Sequence, residues 1–282
     1  MAQVTVVASA TQTGTGFAAG FSMVVSVPTG TADGDLMIAH VQTSSNSYTV
    51  ATPTGWTLKD SDTTNSGASY LFHRIASSEP ASYTFVVSGA SGNKSGAVGI
   101  ITLRSQDSTN YFNVYTKTVD TTSDTTANGS AITPTASPEG ILVAFTGTAQ
   151  VISITHSGHA IANNNPTWTE QWDVNASAGA PGYVSIACAT GLYPYLTTTG
   201  GYTDTLSAST VSTTYFVFIQ TSFNFSGQFS ATGTFSGSES LAVSFPGAFE
   251  STGTLSATVA TGLAKFTNLV KSATTWINQN KS

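Results

Sequence analysis

Apolar and polar residues alternate along most of this chain with the period of two that is typical of a β-strand. Tyr83, Phe85 and Val87, for example, recur at every second position, which gives the segment one apolar face. Turn residues, chiefly Pro, Gly and Asp, separate such segments at the spacing of a β-sandwich. In the first half we predict strands near residues 3–10, 21–27, 35–43, 47–51 with 56–60, 69–75, 82–88 and 97–104. The pattern therefore predicts an all-β, antiparallel β-sandwich or jelly-roll body.

A faint internal repeat divides this body into two halves. Four segments of the first half return in the second half in the same order: 28–41 as 134–145, 53–60 as 166–173, 67–75 as 182–189 and 97–103 as 215–221. We predict a β-sandwich repeat over residues 1–110 and a second over 111–222, with the polar segment 118–131 as the linker between them. Separate sandwiches and one composite jelly-roll both fit the pattern.

A sharper repeat follows the body. The twelve residues 225–236, FSGQFSATGTFS, return as 245–256, FPGAFESTGTLS, and each unit has the pattern of a strand, a turn and a strand. So short a module, residues 223–262, buries too little surface to hide two rows of apolar side chains within one chain. We therefore predict a homo-oligomer, with a trimer favoured, whose interface contains Phe225, Phe229, Phe235, Phe245, Phe249 and Leu255.

The last segment, 263–282, contains a short internal repeat. An aromatic residue, an asparagine and a lysine recur at a ten-residue step, first in 266–271 and then in 276–281. An exposed tryptophan in a polar segment is unfavourable unless it docks. We predict an extended tail that docks on a partner through Phe266, Lys271, Trp276 and Lys281.

Charge is scarce and unevenly placed. Only 8% of the residues are charged, and the net charge is −6. All fourteen acidic residues precede residue 263, and three of the eight basic residues follow it. An acidic body has no basic surface that could neutralise phosphates, so we expect no nucleic-acid partner. We also expect no signal peptide and no membrane insertion. We expect no disulfide, because Cys188 is the only cysteine and lies in an apolar segment.

The candidate chemical groups are few. His156 and His159 form the only close histidine pair, with Glu170 and Asp173 more distant in sequence. A zinc site needs three or four convergent ligands, so we interpret the pair as exposed loop residues. A calcium site is the alternative for the turn-like aspartates Asp33, Asp35, Asp60 and Asp62. We expect His40 and His73 to be half-buried packing residues, and we predict no catalytic residue, no metal and no cofactor.

Tryptophan offers a different kind of site. Trp56 and Trp168 occupy equivalent positions in the two halves, which favours a shared role in the core. Trp172 has no such equivalent, and we predict that it is exposed and contacts glycan.

Three motifs of the first half resemble a group of tailed-phage and bacterial surface proteins. They are PTGTADGDLMIAHV at 28–41, TPTGWTLKD at 52–60 and YLFHRIASSEPASYTFVVSG at 70–89. The resemblance covers about residues 1–221 and implies a non-enzymatic virion protein, made in the host cytoplasm and bound to other virion proteins as a capsid decoration or a fibre. The alternatives are a tail adhesin that recognises host surface glycan and a bacterial surface adhesin.

Overall fold

A computed structural model of the chain describes residues 3–16, 20–89, 92, 94–135, 140–178, 182–221, 267–272 and 275–280. The chain divides into two compact units, residues 1–226 and 227–282. Every regular element in the described ranges is a β-strand, and the sheets are antiparallel throughout. The prediction of an all-β sandwich is confirmed.

The first half forms two sheets that pack face to face. A five-stranded sheet has the order β1-β8-β3-β6-β5, and a three-stranded sheet has the order β2-β7-β4. Met23, Phe85 and Val98 belong to the apolar core between them. The strands are β1 (Thr5–Gly16), β2 (Gly20–Ser26), β3 (Leu36–Thr43), β4 (Thr49–Val50), β5 (Thr57–Asp62), β6 (Ser69–Ile75), β7 (Ser82–Ser88) and β8 (Lys94–Arg104).

The second half forms one six-stranded sheet. Its main path has the order β11-β14-β10-β13-β12, and β9 pairs with β14. The strands are β9 (Phe112–Gly129), β10 (Gly140–Gln150), β11 (His156–Ile161), β12 (Trp168–Ser177), β13 (Tyr183–Tyr193) and β14 (Tyr202–Gln220).

The strand order repeats between the halves. The order β1-β8-β3-β6-β5 of the first half becomes β9-β14-β10-β13-β12 in the second. The order β2-β7-β4 likewise becomes the end of β9, the start of β14 and β11, which pair with one another in that sequence. Strands β9 and β14 each correspond to two strands of the first half, one in each of its sheets. The register shifts between Thr205 and Ser212 separate the two parts of the β9–β14 ladder.

The prediction that residues 118–131 form a linker between the halves is wrong. Residues 118–129 lie within β9, whose partner is β14. Its polar composition reflects the position of β9 at an edge, where many of its side chains are half-buried or exposed. The predicted boundaries of the two halves remain predictions, although both halves lie in one compact unit.

The large sheets of the two halves pack on each other, with β3 facing β10. Ile38, Phe145 and Ile186 belong to the core between them, and the hydroxyl group of Tyr215 donates to the carbonyl of Ser69 across the interface (3.1 Å). Because β3 lies between two cores, all eight of its residues are buried. The body thus combines both halves around a shared core rather than forming two independent sandwiches.

This packing has the symmetry of an isologous dimer. At one side β1 lies against β12, where Ser9 Oγ donates to the Gln171 carbonyl (3.2 Å). At the other side the equivalent pair, β9 and β5, is joined by Lys117 Nζ and Asp60 Oδ1 (2.8 Å). The internal repeat is therefore folded as a pseudo-twofold pair within one chain.

In the second unit, β15 (Thr267–Ser272) and β16 (Thr275–Asn280) form an antiparallel hairpin. We predicted an extended tail here, but the two repeated segments pair with each other as adjacent strands. The module 223–262, with its predicted interface residues Phe225, Phe229, Phe235, Phe245, Phe249 and Leu255, lies outside the described residues.

Candidate functional site: a buried polar cluster

The second half contains a buried hydrogen-bonded chain of side chains from four strands. Nδ1 of His156, at the start of β11, lies 2.7 Å from Oδ2 of Asp204 on β14. Nε2 of the same ring lies 2.8 Å from Oγ of Ser185 on β13. That hydroxyl group also lies 2.8 Å from Oγ1 of Thr148 on β10. The Asp204 and His156 side chains have no exposed area.

Further polar groups extend this cluster. The His156 amide donates to Oδ2 of Asp173 (2.9 Å), and burial raises the pKa of the Asp173 carboxyl. Nδ1 of His159 lies 2.8 Å from the hydroxyl group of Tyr202, and its Nε2 lies 3.6 Å from Oε2 of Glu170. Each of these groups reaches the cluster from a strand, so the sheet fixes their relative positions.

Our interpretation of His156 and His159 as exposed loop residues is wrong. Both lie on β11, His156 is buried, and only 6% of the His159 side chain is exposed. Glu170 and Asp173 lie on β12. Their contacts with His159 and with the His156 amide show that the fold brings β12 close to β11. The spacing of the two histidines alone carries no sign of this partnership.

The order Asp204, His156, Ser185 is the order of orienting carboxylate, base and hydroxyl nucleophile in acyl-transfer enzymes. Here, however, Ser185 is only 1% exposed, and its Oγ is shared between His156 and Thr148. A substrate carbonyl cannot reach a hydroxyl group in that position. The chemistry that this arrangement supports is the satisfaction of buried polar groups, which holds β10, β11, β13 and β14 together.

The four aspartates that we weighed as a calcium site are engaged separately. Oδ1 of Asp33 accepts from the amide of Ser78 (2.7 Å), whereas Asp35 forms an ion pair with Arg104 (2.7 Å). Asp60 pairs with Lys117, and Asp62 accepts from the hydroxyl group of Thr213 (2.8 Å). Among the described residues, no group of three or more His, Cys, Asp or Glu side chains is arranged to hold a metal ion.

Trp172 is not an exposed glycan contact, and that prediction is wrong. Its side chain lies in the core between the two large sheets, 6.1 Å from the ring of Phe145 and directly over Gly99. The prediction rested on the lack of an equivalent residue in the first half, which does not determine exposure. A register shift lies between Glu170 and Trp172, and the Trp172 side chain faces the core. Trp56 is buried in the core of the first half, and Trp168 packs half-buried on the apolar cluster of the second.

Two of the three motifs that carry the resemblance, 52–60 and 70–89, meet at one corner of the first half. The ring of Trp56 contacts Tyr83 edge to face at 5.3 Å. Arg74 forms an ion pair with Glu79 at 2.7 Å, and Glu79 accepts a hydrogen bond from the hydroxyl group of Tyr83 (2.5 Å). A Cβ at Gly55 would lie 2.9 Å from the Arg74 guanidinium, so glycine leaves room for it. The motif residues therefore build a packed corner; we call it the Arg74 corner.

Of the predicted docking residues, Lys271 and Trp276 are direct register partners in the β15–β16 hairpin. Phe266 and Lys281 lie outside the described residues. Separately, the described residues contain no helix that is long and apolar enough to cross a membrane.

Comparison with known proteins adds no relative, since no family model, no curated protein and no solved structure matches the chain.

Proposed function

We propose that this chain is a non-enzymatic structural protein of a phage virion, displayed on the particle surface as a capsid decoration or fibre protein. The observation that carries the proposal is the Arg74 corner. Residues of two of the motifs that resemble phage surface proteins, 52–60 and 70–89, come together there through packing, an ion pair and a hydrogen bond. These motif residues stabilise the fold of the first half, and this supports a structural role for the chain.

The buried polar cluster supports a structural role as well. Its most reactive arrangement, Asp204, His156 and Ser185, is enclosed between strands and bonded on both ring nitrogens. Such a network contributes to a single well-defined core. A stable, rigid body suits a protein that remains on the outside of a particle.

Purified particles from a host that carries the gene provide the test. We expect the chain in gradient-purified virions at a fixed ratio to the major capsid or tail protein, measured by quantitative mass spectrometry, and on their surface by immunogold labelling. A Ser185→Ala variant should be present at the same ratio. Virions that lack the chain, or a loss of hydrolytic activity in the Ser185→Ala variant, would contradict the proposal.

A tail adhesin is the second candidate, and an exposed aromatic residue favours it. Tyr195 is 44% exposed, and the neighbouring Leu196 is 46% exposed. The ring of Tyr195 is held edge-on, 5.2 Å from the buried Tyr193. A glycan array probed with the full chain and with Tyr195→Ala separates the candidates, because an adhesin would bind specific glycans and lose that binding in the variant.

A further inference from the structure

The strand β7 is paired along its whole length on one side only. On that side β2 pairs with all seven residues, from Ser26 opposite Ser82 to Gly20 opposite Ser88. On the other side β4 pairs only with Val87 and Ser88. The Ala51 amide adds one further bond, to the carbonyl of Val86 (2.9 Å). Residues 82–85 therefore have no strand beside them on the β4 side.

The backbone groups that face this open side can be assigned from the ladder. The Val27 amide donates to the Ala81 carbonyl, and in an antiparallel pair the residues that bond to one neighbour alternate with those that point away. The odd-numbered residues of β7 thus bond to β2. The N–H and C=O groups of Ser82 and Thr84 point to the open side.

A groove lies along this open edge. It has a volume of about 350 Å³ and lies between residues 51–54 and the strand residues 82–84 and 86. All its lining side chains are uncharged. Val24, the register partner of Thr84, is 53% exposed, and Val86 is 42% exposed. The groove therefore offers backbone donors and acceptors beside a small apolar surface.

Three edge strands of the large sheets differ from this one. Strands β1, β5 and β12 each carry a register irregularity, at Val6/Ala8, Leu58/Asp60 and Glu170/Trp172 respectively. Such bulges prevent an edge from pairing with another strand. The ladder of β7 with β2 is regular, so the open stretch is left ready to pair.

We infer that the open edge of β7 binds a single extended, uncharged segment of another protein, which pairs with Ser82 and Thr84 as an added strand. Strand addition takes its affinity from main-chain hydrogen bonds and its selectivity from the side-chain surface. At about 3.3 Å per residue, the open stretch accommodates three or four residues. The uncharged groove and the exposed valines favour small or β-branched side chains.

A second copy of the chain that paired through the same edge would bring its own residues 51–54 to the joint, because the same residues line the groove in both copies. A lone strand brings no such segment, so we favour it as the occupant. The surface is independent of whether the chain belongs to a virion, because it depends only on the pairing of β7.

Amide hydrogen exchange of the full chain, followed by NMR, tests the open edge directly. In the free protein the amides of Ser82 and Thr84 should exchange at least a hundredfold faster than those of Tyr83 and Phe85, which bond to β2. Equal protection of all four amides would overturn the inference, since the edge would then already be paired.

Binding is tested with the capped peptide acetyl-Gly-Thr-Val-Thr-Val-Thr-Gly-amide as the probe. We expect saturable shifts and slower exchange at Ser82 and Thr84. The same peptide N-methylated at its three central residues should bind at least tenfold more weakly. Thr84→Pro, which replaces the N–H that faces the groove with a ring carbon, should weaken binding at least tenfold, while Thr84→Ala, which keeps the N–H, should stay within threefold. Absence of shifts at millimolar peptide, or equal binding of the N-methylated peptide, would overturn the inference.

Discussion

His156 Nδ1 lies 2.7 Å from Asp204 Oδ2, and neither side chain is exposed. The pair joins β11 to the first part of β14, the region of the second half that corresponds to the small sheet of the first. In the first half, the core between the two sheets contains apolar side chains such as Val25 and Phe85. The second half also has an apolar cluster, which includes Tyr202 and Phe216, and it adds the buried polar pair.

Replacement of Asp204 should therefore destabilise the body strongly. In Asp204→Ala, His156 Nδ1 and the Ser157 amide lose their acceptor, and each buried polar group left without a partner costs about 1–3 kcal/mol. Asp204→Asn, which retains an acceptor, should cost less. Urea denaturation monitored by tryptophan fluorescence measures both changes.

The exposed Asp33 provides the control for that measurement. Asp33→Ala removes an acceptor of the Ser78 amide at the surface and should cost less than about 1 kcal/mol. Equal losses in Asp204→Ala and Asp33→Ala would mean that the buried pair does not stabilise the second half.

Local periodicity predicted the strands of the first half well. Strands β6 and β7 lie at the predicted residues 69–75 and 82–88, and β3 begins one residue after the predicted start. Strand β7 faces a core on one side, so its apolar residues recur with a period of two. Strand β3 is buried on both faces and appears in the sequence as a short apolar run. Strand β9 was missed because residues 118–129 contain few apolar residues, and only the partner strand β14 makes them a strand.

The polar cluster could not be predicted from the sequence, for a related reason. His156 and Asp204 are 48 positions apart, and His156 and Ser185 are 29 apart, so the contacts depend on which strands become neighbours. Trp172 was misplaced because the lack of an equivalent residue in the first half does not show which face of β12 carries the side chain. Most strands of the first half can be predicted from local sequence, whereas strand β9 and the composition of the polar cluster depend on which strands become neighbours.

The stability of the body should fall as the pH drops below about 6.5. Burial, together with the nearby His156, lowers the pKa of His40 to about 3. Between pH 6.5 and 3 the unfolded chain therefore binds a proton at this position that the folded chain does not bind. Stability then decreases with falling pH, by about 1.4 kcal/mol per pH unit for one such group. His73, whose pKa burial lowers to about 4, acts in the same direction.

His40→Leu isolates the contribution of His40. The variant should show a shallower dependence of the unfolding free energy on pH between 6 and 4.5, measured by urea denaturation at several pH values. His40 lies between the rings of Phe145 and Tyr215, so a leucine has apolar neighbours there. An unchanged slope in His40→Leu would show that this histidine is protonated in the folded state.

The proposed virion function predicts that the hairpin of the second unit anchors the chain to the particle through Trp276. Trp276 and Lys271 are register partners, and an isolated two-stranded hairpin is only marginally stable in water. A buried tryptophan anchor often contributes 2 kcal/mol or more, which is about thirtyfold in affinity. Trp276→Ala should therefore release the chain from purified particles, as measured by its occupancy after sedimentation. Lys281→Ala should matter only at low salt. Full occupancy of Trp276→Ala particles would contradict the anchor.

Gly99 and Trp172 should be energetically coupled, because the indole lies directly on the glycine backbone. A Cβ at Gly99 would lie 2.4 Å from Trp172 Cε2, so Gly99→Ala forces the two large sheets apart and should cost about 1–3 kcal/mol. Trp172→Ala leaves a cavity in the shared core and should cost about 3–5 kcal/mol. In the double variant the added methyl group occupies space that the indole has vacated. Its total loss should therefore be at least about 1 kcal/mol smaller than the sum of the single losses. Additive losses in this double-mutant cycle would mean that β8 and β12 do not pack as tightly across the two halves as this contact requires.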